Sequence, residues 1–140
     1  MSYAMSAGLQ GAVFDALSAN AALGAMVAGI YDAPPDSPGT PPVGTYITLG
    51  EEVARDRSSG SHTGAVLDFE VNIHSDFAGF SAAKAVAEVV VDTLLAAPLS
   101  MTRGRVVLLR FLKSRARRGA APETRRIALV FRAILDDSIA

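Results

Sequence analysis

Apolar residues recur at spacings of three and four between positions 80 and 97: Phe80, Ala83, Val86, Ala87, Val90, Val91 and Leu94. Ser81, Lys84, Glu88 and Asp92 fill the opposite stripe, with Lys84 and Glu88 one turn apart. That period predicts an amphipathic helix with one face committed to a core. At about 1.5 Å per residue it runs roughly 27 Å, enough to cross a small sheet, and Pro98 ends it. A second helical pattern, Leu9, Ala12, Val13, Ala16 and Leu17, lies within 7–19 with Asp15 outside it. Asn20 is placed to cap a short further helix through Leu23, Met26 and Val27, which Gly29 would close.

Elsewhere the period is two. Ala65, Leu67, Phe69, Val71 and Ile73 alternate with Val66, Asp68, Glu70, Asn72 and His74 over 65–75, the clearest strand. A first strand over 43–52 puts Val43, Thr45, Ile47 and Leu49 on one side. A last strand over 125–135 sets Ile127, Leu129, Phe131, Ala133 and Leu135 against Arg126, Ala128, Val130, Arg132 and Ile134. The strand over 105–115 has apolar residues on both sides, Val106, Leu108 and Leu112 against Val107, Leu109 and Phe111, with Arg110 intruding. Such a strand is expected to be buried on both sides, with helices over one face and a partner over the other. The connections at 53–64 and 114–124 carry glycine, serine and proline and read as long hairpin loops. Residues 30–42 hold five of the seven prolines and read as a loop of restricted φ, either a rigid connector from the helices to the sheet or an exposed contact loop. The order α-α-β-β-α-β-β predicts an α+β domain over 1–140, a four-stranded sheet with helices on one face. The sheet is mainly antiparallel, with a mixed arrangement left open.

Composition sharpens this picture. Half of the residues are apolar, tryptophan is absent and the aromatics are six Phe and three Tyr, so the core is aliphatic. Cysteine is absent, which excludes disulfides and thiolate metal sites. No Lys or Arg precedes Arg55, and Lys84, Glu88 and Asp92 interrupt the most apolar stretch. The expectation is a soluble, unexported protein with no membrane partner. The net charge of −1 conceals two unlike halves. Three basic and eleven acidic residues precede Arg103, whereas ten basic and three acidic residues follow from there. Either the two sets pair within one sheet, or acidic and basic surfaces meet between copies or face a charged partner.

Reactive constellations are missing. Ser75 lies between His74 and Asp76, but no G-x-S-x-G elbow presents a nucleophile, and His74 is expected to be an ordinary solvent-facing histidine. His62 and His74 without cysteines make a poor zinc set. The adjacent pairs Glu51–Glu52 and Asp136–Asp137 point apart in an extended strand. The glycines at 60 and 64 lie between strands rather than at a helix N-terminus, so they do not cradle phosphate. No catalytic residue, cofactor or metal is assigned. Arginines at 103, 105, 115, 117, 118, 125 and 126 form the one unusual group. Nucleic-acid binding is one reading of it, although no aromatic interleaves them to stack bases. Contact with acidic protein surface, or with DNA passing by, is another.

The order of several short pieces resembles a known family. They are Asn20-Ala21-Ala22-Leu23, Gly29-Ile30-Tyr31-Asp32 before the prolines, Pro41-Pro42-Val43 leading to Leu49-Gly50-Glu51, and Asp56. Ile73-His74-Ser75, Gly79, Ala83-Lys84-Ala85 and Leu94-Leu95-Ala96-Ala97-Pro98-Leu99 follow. Together they are similar to tail-completion proteins of tailed phages, prophages and gene transfer agents, which look like the tail terminators of long-tailed phages. The resemblance implies a non-enzymatic homohexameric ring at the head-proximal end of the tail tube. Such a ring stops tube polymerisation and docks the head-completion (stopper or connector) protein. DNA passes through its lumen without sequence-specific binding, and the protein sits at the tail or neck of a particle made in the bacterial cytoplasm. An aromatic residue that often closes the second strand in that family is replaced in this neighbourhood by His74. The candidates for interface or lumen contacts are Glu51, Glu52, Arg55, Asp56, Arg57, Asp68, Glu70, Arg110, Arg115, Arg117, Arg118 and Arg126. A small nucleic-acid-binding module is the alternative reading, and a ligand-binding or enzymatic dimer, which would need a deep polar pocket, is a third.

Overall fold

The computed structural model describes residues 4–32, 44–61, 63–76, 79–96, 98–118 and 124–137. In chain order it contains α1 (Ala4–Ser18), α2 (Ala21–Met26), β1 (Ile30–Tyr31), β2 (Thr45–Asp56), β3 (Gly64–Ser75), α3 (Ser81–Ala96), β4 (Arg105–Arg118) and β5 (Arg125–Asp136). The class is α+β, as the periods imply. The sheet has five strands rather than four, in the order β1-β2-β3-β5-β4. Only the β1–β2 pair is parallel, so the sheet is mixed. The added strand comes from the stretch read as a loop: Ile30 and Tyr31 lie beside Ile47 and Thr48. Two residues are too few for alternation to announce a strand. The proline-rich remainder, 33–43, lies outside the described residues, as does His62.

The helices cover one face of the sheet. Ala83, Val86, Ala87, Val90 and Leu94 of α3 are buried, as the period of three and four requires. Met5, Leu9, Val13 and Leu17 of α1 join them, and Leu23 of α2 is fully buried. Beneath them β3 contributes Ala65, Leu67, Phe69, Val71 and Ile73, and β5 contributes Ile127, Leu129, Phe131, Ala133 and Leu135. Phe69 stacks on Phe131 at 5.4 Å, and Phe111 meets Phe131 edge-on at 5.7 Å. Asn20 caps α2 as expected, its side-chain oxygen accepting from the Leu23 amide at 3.0 Å. Its amide nitrogen also donates to Thr93 Oγ1 at 2.7 Å, tying α2 to α3.

Two hairpins run further than their sequence alternation. β2 continues to Asp56, with Val53, Ala54, Arg55 and Asp56 paired to Asp68, Leu67, Val66 and Ala65. An irregularity between Leu49 and Glu52 resets the alternation, which is why the strand seemed to stop there. β4 likewise continues to Arg118, so Arg115, Arg117 and Arg118 are strand residues and not loop residues. The two hairpin turns lie at opposite ends of the sheet. Gly64 pairs with Asp136, which pairs with Arg105, at one end; Thr45, Ser75, Arg125 and Arg118 form the corresponding row at the other. Gly104 turns the chain into β4 at φ +72°, where a Cβ would also lie 2.9 Å from the Asp136 carbonyl oxygen.

One expectation is reversed. β4 is not buried on both sides; it is the outer edge strand, and Val107, Leu108 and Phe111 are 53%, 45% and 38% exposed. Irregularities between Val106 and Leu108 and between Phe111 and Lys113 break its period, so apolar side chains fall on both faces.

Candidate functional site

The face of the sheet opposite the helices carries the charge. Register places Asp68 and Glu70 of β3 and Arg126 and Arg132 of β5 on it, with Arg55 of β2 at its side. The same register adds Arg110, Lys113, Arg115 and Arg117 of β4. β5 settles next to β3, so part of the charge is neutralised within the protomer. Arg132 donates to both Asp68 oxygens, at 2.8 and 2.9 Å. Arg126 donates to Asn72 Oδ1 at 3.2 and 3.0 Å and lies 3.6 Å from Glu70. Arg55 reaches Asp68 at 3.9 Å. Hydrogen bonds from Arg132 hold the Asp68 carboxyl below its ordinary value, against the opposing effect of burial. Asp136 and Asp137 are similarly taken up by Arg105 at 3.2 Å and Arg103 at 2.9 Å.

The edge strand is different. Among the described residues no ion pair reaches Arg110, Lys113, Arg115, Arg117 or Arg118. The first four project from one side of β4, along about 20 Å of edge at roughly 3.3 Å per residue. Arg118 lies across from Arg125 on the helix side, where the Arg125 guanidinium covers the Phe80 ring at 5.5 Å. Part of the basic half is thus paired inside the sheet through β5, while among the described residues the cations of β4 from Arg110 onward meet no carboxylate.

The remaining candidates lie along β2. Glu51 is exposed at the irregularity, while Glu52 faces the helices and accepts a hydrogen bond from Ser6 Oγ. Asp56 accepts from Ser58 Oγ at 2.7 Å, the main reason its carboxyl is held below its ordinary value, and Arg57 is exposed just past the strand. A cleft of about 190 Å³ opens here, lined by Leu9, Val13, Leu49, Phe69 and Glu52 among others. The candidates therefore fall into three sets, along β2, on the central β3–β5 pair and along β4, and the arginines at 115, 117 and 118 do not meet Asp56. Three residues of this surface were not singled out by sequence. Lys113 sits past the irregularity that resets the count from Arg110, and Asn72 and Arg132 looked like ordinary outward strand positions.

His74 is not the solvent-facing residue expected. It stacks on Tyr46 at 4.6 Å and an interplanar angle of 10°, and its Nε2 lies 2.9 Å from Thr48 Oγ1. Burial, and secondarily the Arg126 charge, push its pKa down to about 4. Ser75 turns to the opposite face, where it accepts from Thr45 Oγ1 at 3.2 Å, and Asp76 accepts from the Gly44 amide at 2.9 Å. These three side chains are held apart and form no triad. Among the described residues no group of three acidic or histidine side chains is placed to hold a metal, and no helix is long and apolar enough to cross a membrane.

One face buried under helices, one face charged and one long strand left open along the rim define an α+β protein organised for contact with other macromolecules. The chain belongs to the family described as tail completion protein gp17, whose model matches residues 11–136. That makes it a structural component of a phage-type tail and not an enzyme. No curated protein matches the chain. Among solved structures, a chain of the "Virion of native gene transfer agent (GTA) particle" is similar to it, with 46% identity and a TM-score of 0.86 over 96% of this chain and 99% of that one.

Proposed function

We propose that this protein is a tail terminator: one domain that assembles as a homohexameric ring on the head-proximal end of the tail tube. The ring ends polymerisation of the tube protein and presents a surface to the head-completion (stopper or connector) protein, while DNA passes through its lumen without being read. The observation that carries this reading is β4, a 14-residue edge strand with exposed apolar side chains and a basic stripe that no carboxylate among the described residues meets. A strand with those properties is a liability in a free monomer and an asset in an assembly. Similarity to a chain of a gene transfer agent virion supports the same reading.

In this account Arg115, Arg117 and Arg118 contact acidic groups of a partner or line the channel, and Glu51, Asp56 and Arg57 take part in contacts on the other side. Replacing all three arginines by Glu leaves secondary structure and unfolding midpoint nearly unchanged but leaves particles unfinished. Normal particle completion by that variant contradicts the assignment. Rings of uniform diameter in negative stain, free or on tube ends, are the direct test of the architecture. Tight, salt-dependent binding of free DNA by the isolated protein would favour the nucleic-acid-binding alternative instead.

A further inference from the structure

We propose that neighbouring copies join by antiparallel pairing of residues 105–113 of β4 with the open outer edge of β2 in the next copy, seating Phe111 over the cleft beside α1. The proposal rests on the head-to-tail assembly described above and names its interface. Strand direction is the first argument. β2 is antiparallel to β3, β3 to β5 and β5 to β4, so β2 and β4 run in opposite directions. A second copy placed beside β4, with its helices on the same side, therefore presents β2 in the sense an antiparallel ladder requires.

Both edges have room. β1 covers β2 only at Ile47 and Thr48, and among the described residues no strand pairs with the outer side of 49–56. Among the described residues the outer side of β4 has no strand partner over its length. The rows of the sheet then say what would meet. Glu52, Phe69, Phe131 and Phe111 form one row; Val53, Asp68, Arg132 and Arg110 form the next. Gly50 and Glu51 flank the row of Glu70, Val130 and Lys113.

In a ring that keeps its copies at one height, Phe111 faces the neighbour's Glu52 and the cleft beside it, whose lining sets Leu9, Val13, Leu49 and Phe69 among Gln10, Asp32 and Glu70. That cleft is about 190 Å³, and a cavity of roughly 150 Å³ admits a benzene ring. Lys113 faces the exposed Glu51, an opposite charge. The stem of Arg110 faces Val53, which is 61% exposed in the protomer. Exposed apolar residues at the same height on two opposite edges are what a head-to-tail contact between identical chains needs.

The second irregularity of β4 fits the same arrangement. The rows of Arg115 and Ala116 lead across the sheet to Thr48 and Ile47, which β1 occupies. A ladder continued that far would collide with the neighbour's β1. The irregularity between Phe111 and Lys113 bends the strand just before this point, freeing the basic arm for a different partner.

The chain has no cysteine, so paired cysteines report directly. The full-length double variants Val53→Cys/Arg110→Cys and Ala54→Cys/Leu109→Cys are oxidised and compared with each single variant and with Val53→Cys/Arg117→Cys. The proposal predicts a ladder of covalent multimers from at least one of the first two, and none from the controls. It also predicts that Phe111→Ala raises the dissociation constant of the assembly at least tenfold. An assembled species by native mass that neither double variant cross-links overturns this interface and leaves the ring reading intact. Cross-linked open filaments support the interface and overturn ring closure. A protein that stays monomeric and uncross-linked overturns both.

Discussion

β4 and β5 lie side by side and are built from the same residue types, yet they do different work. β5 alternates strictly, and every second side chain from Ile127 to Leu135 is buried. Its two outward arginines find Asp68, Glu70 and Asn72 on β3. β4 has two irregularities, exposes Val107, Leu108 and Phe111, and beyond Arg105 carries five cations, from Arg110 to Arg118, that no carboxylate among the described residues meets. The comparison separates residues that make the protomer from residues that make the assembly. Apolar content alone does not tell them apart; period and neighbours do.

The two phenylalanines in contact test that separation most severely. Phe131 is fully buried, and Phe131→Ala should cost the protomer about 3–5 kcal/mol in urea unfolding. Phe111→Ala should cost clearly less there, about 1–2 kcal/mol, because the ring is already 38% exposed, while assembly suffers. Equal losses in the two variants would break the comparison.

The next largest effect is acid-dependent. His74 titrates at about 4 when folded, against an ordinary value of 6.5, so the unfolded chain takes up a proton first. Stability is therefore lost as pH falls from 6.5 towards 4, by up to about 1.4 kcal/mol per pH unit. His74→Phe, which keeps a ring against Tyr46, should flatten this part of the pH profile; an unchanged slope would assign the acid sensitivity elsewhere.

A smaller effect is due at Asp68. Its folded pKa is lowered, so its contribution is present above the ordinary value of 3.8 and disappears as pH falls below it. Asp68→Asn should lower the denaturation midpoint at neutral pH and converge on the parent protein in acid. The smallest effect belongs to the edge: Arg115→Glu or Arg117→Glu should leave stability within about 0.5 kcal/mol. A large loss would mean that β4 is part of the protomer's own support.

How much of this was legible in the sequence follows from the physics of each element. α3 was read almost to the residue because eleven positions repeat the same period and Pro98 closes it. β3 and β5 were equally plain, each having one apolar, buried face and one on which charged residues recur. β1 was hidden by its length. The ends of β2 and β4 were hidden because one extra residue inverts the alternation, so real strand reads as loop. The burial of β4 was misjudged because two-faced apolar character is shared by a central strand and an edge strand awaiting a partner. The charged surface was half legible: Asp68, Glu70 and Arg126 were marked, but only the order β3-β5-β4 shows that Arg126 meets Glu70, that Arg132 takes up Asp68, and that among the described residues no carboxylate meets Arg110 or Lys113.

The central claim is that β4 is an assembly edge. Native mass of the full-length protein, compared with Phe111→Ala over a range of concentrations and with tube protein added, tests it most directly. The account predicts a closed multimer of the 14.5 kDa chain for the parent protein, and its loss or marked weakening in the variant. A parent protein that remains a 14.5 kDa monomer under every condition, or a multimer indifferent to Phe111, would contradict it.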